Sequence, residues 1–220
     1  MVTREEVFIR CGAIVLEAVL ETPGGTAKGL PAAVICHAHP LYGGNMHNNV
    51  TRGLKRGLVE RGFACLRFNF RGTGQSEGRH GDGIAELEDV RSALDFMEQL
   101  DHVDPKRILI AGYSFGCWVG LKAAAKDPRP VRLVGISPPV DAYDFAFLSD
   151  EKRPKLLVAG DRDVVCSKKG FEDLVADIPE PKMAVLLPGA DHFHIGREDD
   201  LILAVDAFLD RFPFDDARRL

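Results

Sequence analysis

An excess of positive charge, a paired cysteine spacing and a long apolar run are all missing from this chain of 220 residues. Each absence excludes something. The formal net charge is -5, with both signs interspersed, so there is no basic stripe to track a phosphate backbone, and no nucleic-acid partner is expected. The five cysteines, Cys11, Cys36, Cys65, Cys117 and Cys166, are odd in number, widely spaced and set in apolar contexts such as AAVICHAH and FACLRFNF. With no CxxC or CxH cluster among them, neither a disulfide framework nor a zinc site is read, and buried reduced thiols are expected. The apolar stretch Ile108 to Leu121 has 14 residues, short of the ~20 that a helix needs to cross a bilayer, so no membrane partner is expected. The N-terminal segment carries its charges within the first ten residues and shows no apolar core followed by a small-residue cleavage site. No secretory signal is read there, and a cytoplasmic location is expected.

What remains is an ordinary globular composition, 45% hydrophobic and 28% charged, without repeats, linkers or low-complexity tracts. A single domain over residues 1–220 is expected. Short runs rich in Val, Ile and Leu alternate with longer segments whose apolar residues recur at three and four. That is the pattern of parallel strands buried on both faces with crossover helices between them. EVFIRC, AIVLEAVLE, AAVICHA, ACLRFNF, RILIAGY, RLVGIS, KLLVAGD and MAVLLPG predict eight strands. Helix faces are marked by Val50, Leu54 and Leu58; by Ile84, Leu87, Val90, Leu94 and Met97; and by Leu201, Val205, Phe208 and Phe212. Two further helices are predicted, from Ser114 to Pro128 and through KKGFEDLVADIP to Pro179. The first two strands have no helix between them and predict an antiparallel start. The fold expected is α/β, a doubly wound and mostly parallel eight-stranded sheet with an antiparallel N-terminal strand.

Within ILIAGYSFGCWVG, Ser114 stands between Gly112 and Gly116 where a strand run meets a helix run. A serine hydroxyl attacks a carbonyl only if it is exposed, close to a base, and beside donors for the oxyanion that forms. A tight strand-to-helix turn satisfies the first condition and requires small residues two positions to either side. It also aims the backbone N–H of Phe115 at the substrate oxygen from a helix N-terminus, where negative charge is favoured. An acid and a histidine follow in the order this architecture demands. Asp163 lies just past the seventh strand and His192 just past the eighth, and functional groups of open parallel sheets gather outside the carboxyl ends of strands. In roles, His192 takes the Ser114 proton and Asp163 fixes the imidazole tautomer.

Taken with HAHPLYGGNMHN, RFNFRGTGQSEG, GYSFG, GDRD and GADHF, the chain resembles the alpha/beta-hydrolase superfamily over nearly its whole length. The resemblance is nearest to the small, lidless serine-esterase and dienelactone-hydrolase-like branch. It implies a hydrolase of esters or thioesters without a cofactor, and a second oxyanion donor from the loop after the third strand, Leu41 with Tyr42 as the alternative. Dienelactone hydrolases use cysteine as nucleophile, and serine in this elbow makes a lactone substrate doubtful.

Bland readings stand beside each assignment. Ser114 could be a helix N-cap, His194 could replace His192, and Asp161, Asp141 or Asp144 could replace Asp163. His37 and His39 lie two apart but lack a third ligand, so no metal is expected and they are read as bracing the loop after the third strand. The glycines of RGTGQSEG are read as serving backbone geometry, and Trp118 as core. PPVDAYDFAFLSDEKRP, the segment between the sixth and seventh strands, is too short for a cap domain. An open, shallow pocket lined by Tyr42, Met46, Phe115, Phe145 and Phe147 is expected, with His47 beside Met46. The partner expected is a small acyl substrate; whether the chain acts singly or as a homodimer stays open. An inactive interaction module and a small peptidase are the alternative functions.

Overall fold

A computed structural model describes residues 1–25 and 28–214. Eight strands and five helices follow in the predicted order: β1 (Val2–Cys11), β2 (Ile14–Pro23), β3 (Leu30–Cys36), α1 (Asn49–Glu60), β4 (Ala64–Phe68), α2 (Glu86–Glu98), β5 (Val103–Tyr113), α3 (Phe115–Ala124), β6 (Pro130–Ile136), β7 (Lys155–Gly160), α4 (Lys168–Asp177), β8 (Lys182–Leu187) and α5 (Glu198–Arg211). They build one sheet in the order β1-β2-β4-β3-β5-β6-β7-β8. β2 pairs antiparallel with both β1 and β4, and every other pairing is parallel.

Period-two alternation sends side chains to both faces. From β3, Ala32, Val34 and Cys36 enter the core under α2, α3 and α4, while Ala33 and Ile35 enter the core under α1 and α5. β5 repeats the division, with Ile108 and Ile110 on the first face and Leu109, Ala111 and Tyr113 on the second. A sheet covered on both sides explains why its central strands read as unbroken apolar runs. α1 begins where the Asn48 side chain accepts the Thr51 amide at 2.9 Å. α3 stops at Ala124 rather than reaching Pro128. Asp127, disfavoured in helical geometry before a proline, instead accepts the Arg129 amide at 3.0 Å.

Two short 3-10 turns lie outside the predicted pattern, Pro40–Tyr42 after β3 and Ala146–Leu148 between β6 and β7. The second is the only helical element among the described residues of that connection, so the connection builds no cap domain over the carboxyl edge of the sheet. The turn RGTGQSEG after β4 is tied down by Asp89, which is wholly buried. One of its oxygens accepts the Arg71 amide at 2.9 Å and the other accepts Arg71 Nε at 2.8 Å. Gly74 sits at φ 56° against the side chains of Asn69 and Glu17, where a Cβ has no room.

Candidate active site

β5 ends at Tyr113 and α3 begins at Phe115, so Ser114 alone makes the turn. Its backbone lies at φ 55°, ψ -121°, a conformation costly for any residue with a side chain. β6 and α3 hold it there: the Ser114 amide donates to the Ile136 carbonyl at 2.9 Å, and its own carbonyl accepts the Cys117 amide at 2.9 Å. A Cβ on Gly112 would lie 2.5 Å from the Gly116 carbonyl carbon. One on Gly116 would lie 2.5 Å from the Cys36 carbonyl oxygen and closer still to that of His37. The Ser114 hydroxyl makes no capping bond to α3. It points elsewhere.

His192 Nε2 stands 2.9 Å from Ser114 Oγ, and His192 Nδ1 stands 2.9 Å from both Asp163 oxygens. The three side chains come from the ends of β5, β8 and β7, and all are buried. A carboxylate can only accept, so Nδ1 carries the hydrogen and Nε2 is left to accept the serine hydroxyl. Asp163 Oδ1 also accepts the amides of Val165 and Cys166, each at 2.8 Å. Burial works to raise the Asp163 pKa, but the bond and charge of His192, the Cys166 amide and the Ser137 hydroxyl together hold it below the usual carboxylate value. Tyr113 anchors the histidine loop from the strand below, its hydroxyl donating to the His192 carbonyl at 2.9 Å.

The rival residues have other employment. Asp161 accepts the Gly189 amide at 2.6 Å, Asp144 accepts the Ala146 amide at 2.7 Å, and Asp141 accepts the Ser167 amide at 2.7 Å at the start of α4. His194 is wholly buried with φ 51°, its Nε2 2.8 Å from Ser137 Oγ. Its bond is therefore to Ser137, and the ring that meets Ser114 is that of His192.

The 3-10 turn Pro40–Tyr42 flanks the serine on the β3 side. His39 caps it, its Nδ1 accepting the Leu41 amide at 3.2 Å, while the Tyr42 amide donates to the His39 carbonyl at 3.1 Å. Burial, with His80 alongside, keeps the His39 pKa below the ordinary value, so the ring is neutral and able to accept. His37 is locked from both ends: the Phe70 amide donates to Nε2 at 3.0 Å and Nδ1 donates to the Ala38 carbonyl at 2.6 Å. The two histidines brace the loop, and no group of side chains able to hold a metal ion is found among the described residues.

A cavity of about 390 Å³ opens over Ser114 and His192, walled by Ala38, His39, Tyr42, Tyr113, Phe115, Pro139, Ala142, Tyr143, Val165 and Phe193. Tyr42 and Phe115 stand where the sequence put them. Met46, Phe145 and Phe147 do not line it, nor does His47. Met46 is 1% exposed, held inside by its amide on Asn69 Oδ1 and its carbonyl on Arg67 Nη1. Phe145 and Phe147 turn into the core beneath α4 and face each other with ring centroids 5.6 Å apart. Their place in the wall is taken by Tyr143, stacked on Trp118 at 4.4 Å. Tyr143 and Phe193 flank motifs noted in the sequence, yet no spacing rule aimed their side chains at the serine.

The profile of the X-Pro dipeptidyl-peptidase (S15) family matches residues 12–190. An uncharacterised protein of Rickettsia prowazekii is 34% identical over 192 residues, covering 84% of this chain and 80% of its own. An alpha-beta serine hydrolase homologue from Coxiella burnetii superposes with a TM-score of 0.84 at 34% identity, over 94% of this chain and 97% of that one. A serine hydrolase without a lid from Xanthomonas campestris gives 0.85 at 29% identity, over 95% and 94%.

Proposed function

Because the chain belongs to the X-Pro dipeptidyl-peptidase (S15) family of alpha/beta serine hydrolases, we propose that it cleaves small carboxylic esters or thioesters through an acyl-enzyme at Ser114. The observation that carries this reading is the unbroken line of hydrogen bonds from Ser114 Oγ through His192 to Asp163. In the first half-reaction His192 Nε2 takes the hydroxyl proton as Oγ attacks the carbonyl, then returns it to the departing alcohol or thiol. Water enters by the same route in reverse and frees the acid. Asp163 stays ionised throughout and stabilises the imidazolium.

Two amides receive the oxyanion. Phe115 is the first residue of α3, where an N–H has no acceptor within its own helix. Leu41 supplies the second in preference to Tyr42. The Leu41 amide rests on a His39 ring nitrogen, which can yield it by a side-chain rotation, whereas the Tyr42 amide rests on a backbone carbonyl of the turn itself. No cofactor enters the scheme.

The family description favours a second reading, peptide cleavage. A dipeptidyl-peptidase must measure two residues from a free ammonium, which calls for a carboxylate in the cavity. None of the residues lining it is acidic, and its aromatic walls suit an uncharged acyl or alcohol group. The test is a fluorophosphonate label located by mass spectrometry, together with a panel of p-nitrophenyl esters, acyl thioesters and Gly-Pro-p-nitroanilide. We expect the label on Ser114, and ester kcat/KM falling by roughly 10³ or more in Ser114→Ala. Equal ester rates in wild type and variant would end the hydrolase reading. Preferred cleavage of the dipeptide anilide would replace esters with peptides.

A further inference from the structure

Two cavities meet at Tyr143. One is the cavity of about 390 Å³ over Ser114. The other, of about 530 Å³, lies between the β6–β7 connection and the end of α4, and the reaction at Ser114 makes no use of it. Among the described residues Tyr143 alone lines both. Val140, Phe145, Leu174 and Ile178 give the second cavity apolar walls, and Asp144 and Asp177 add exposed carboxylates.

Tyr143 is fixed in place. Its amide donates to the Pro139 carbonyl at 3.0 Å, and its ring stacks on Trp118 with centroids 4.4 Å apart and planes 25° from parallel. Trp118 is itself held: Nε1 donates to the Asp144 carbonyl at 2.9 Å, and its ring lies so close to Gly83 that a Cβ there would overlap it. The Tyr143 ring is thus a wall backed by the core and not a side chain loose in solvent.

The chemistry decides which half of a substrate meets this wall. His192 returns its proton to the departing atom, so the leaving group lies beside the imidazole, which packs on Phe193 with ring centroids 5.8 Å apart. Tyr143 packs instead on Phe115, the residue assigned the first oxyanion amide, with centroids 6.2 Å apart. The acyl chain, on the side of the carbonyl away from the leaving group, is directed to Tyr143.

We propose that Tyr143 determines acyl length: its ring closes the acyl end of the Ser114 cavity, and a side chain too small to do so would join the two cavities and admit longer chains. The inference rests on the reading of Ser114 as nucleophile and narrows its substrates to esters and thioesters of short, uncharged acids. Each methylene that passed the wall would leave water for the apolar surface of Val140, Phe145, Leu174 and Ile178. A chain ending in a carboxylate would meet Asp144 and Asp177 there and be repelled.

The test measures kcat/KM for p-nitrophenyl acetate, butyrate, hexanoate and octanoate with wild type, Tyr143→Phe, Tyr143→Leu and Tyr143→Ala. We expect wild type and Tyr143→Phe to share one profile that falls beyond butyrate. In Tyr143→Ala the octanoate-to-acetate ratio should rise by about tenfold, the scale of two buried methylenes, with a smaller rise in Tyr143→Leu, which keeps part of the contact with Trp118. Ala146 lines the second cavity, so adding Ala146→Trp to Tyr143→Ala should fill the opened space and return the ratio toward wild type. Acetate hydrolysis by each variant shows that its triad is assembled, and where Tyr143→Ala has lost it, Tyr143→Leu decides. A ratio unchanged in these variants, or a wild type that takes octanoate as readily as acetate, would overturn the proposal provided that Ser114→Ala is inactive. Equal acetate rates in wild type and Ser114→Ala would instead remove the reaction on which it rests.

Discussion

His37 sits at the hinge between the loop after β3 and the loop after β4, neutral and with both ring nitrogens engaged. A proton added at Nε2 would face the Phe70 amide hydrogen, and complete burial pushes the pKa down to about 4. Unfolded, the same ring titrates near its ordinary 6.5. The stabilisation from keeping it neutral is therefore whole above pH 6.5 and drains away as pH falls through 4, a loss of about 3 kcal/mol from this group. Urea unfolding of wild type and His37→Gln at pH 7 and pH 4 measures it: the wild type should lose about that much more than the variant. Parallel losses would show that the ring is not what makes the fold acid-sensitive. At Ser114 and its flanking glycines the sequence was fully informative, because two small residues around a serine at a strand-helix junction answer a steric demand that only glycine meets. For Met46, Phe145 and Phe147 it was not. Hydrophobicity says that a side chain is sheltered; it does not say whether the shelter is the cavity or the core.

Among the elements, β3 and β5 were legible because every second residue must satisfy one core and the residues between must satisfy the other. The 3-10 turns were not, since three residues carry no period to detect. Each is set by a local side-chain cap, the His39 ring accepting the Leu41 amide in one and Asp144 accepting the Ala146 amide in the other. The loop after β4 is similar: RGTGQSEG reads as a turn, but the residue that secures it, Asp89, lies in α2 eighteen residues from Arg71. Asp89→Ala would leave the Arg71 guanidinium largely buried, the turn amide unbound and a void beside Cys11. We expect a loss of about 3–5 kcal/mol in chemical denaturation, the scale of a broken buried ion pair. A change below about 1 kcal/mol would mean that the glycines alone hold the turn.

At the scale of the whole molecule, all five cysteines are buried in the two cores, Cys11, Cys36 and Cys65 on strands, Cys117 on α3 and Cys166 in the loop after β7, and none is in a disulfide. Burial raises the pKa of every one of these thiols, so none offers a thiolate near neutrality. Titration with Ellman's reagent should find no fast-reacting thiol in the native protein and five in denaturant. Fast reaction of even one native thiol would contradict the packing of the segment that bears it. The expectation of reduced cysteines came from their odd number and apolar settings, which is information a sequence does carry.

The connection from β6 to β7 adds one short turn and no canopy. In the proposed reaction, an acyl group on Ser114 would lie in a cavity that opens to solvent without a canopy, where water has no privileged access over other small nucleophiles. Ethanol or methanol, supplied at molar concentration, would then compete for the same intermediate, and the molecule would make new esters as readily as it dismantles old ones.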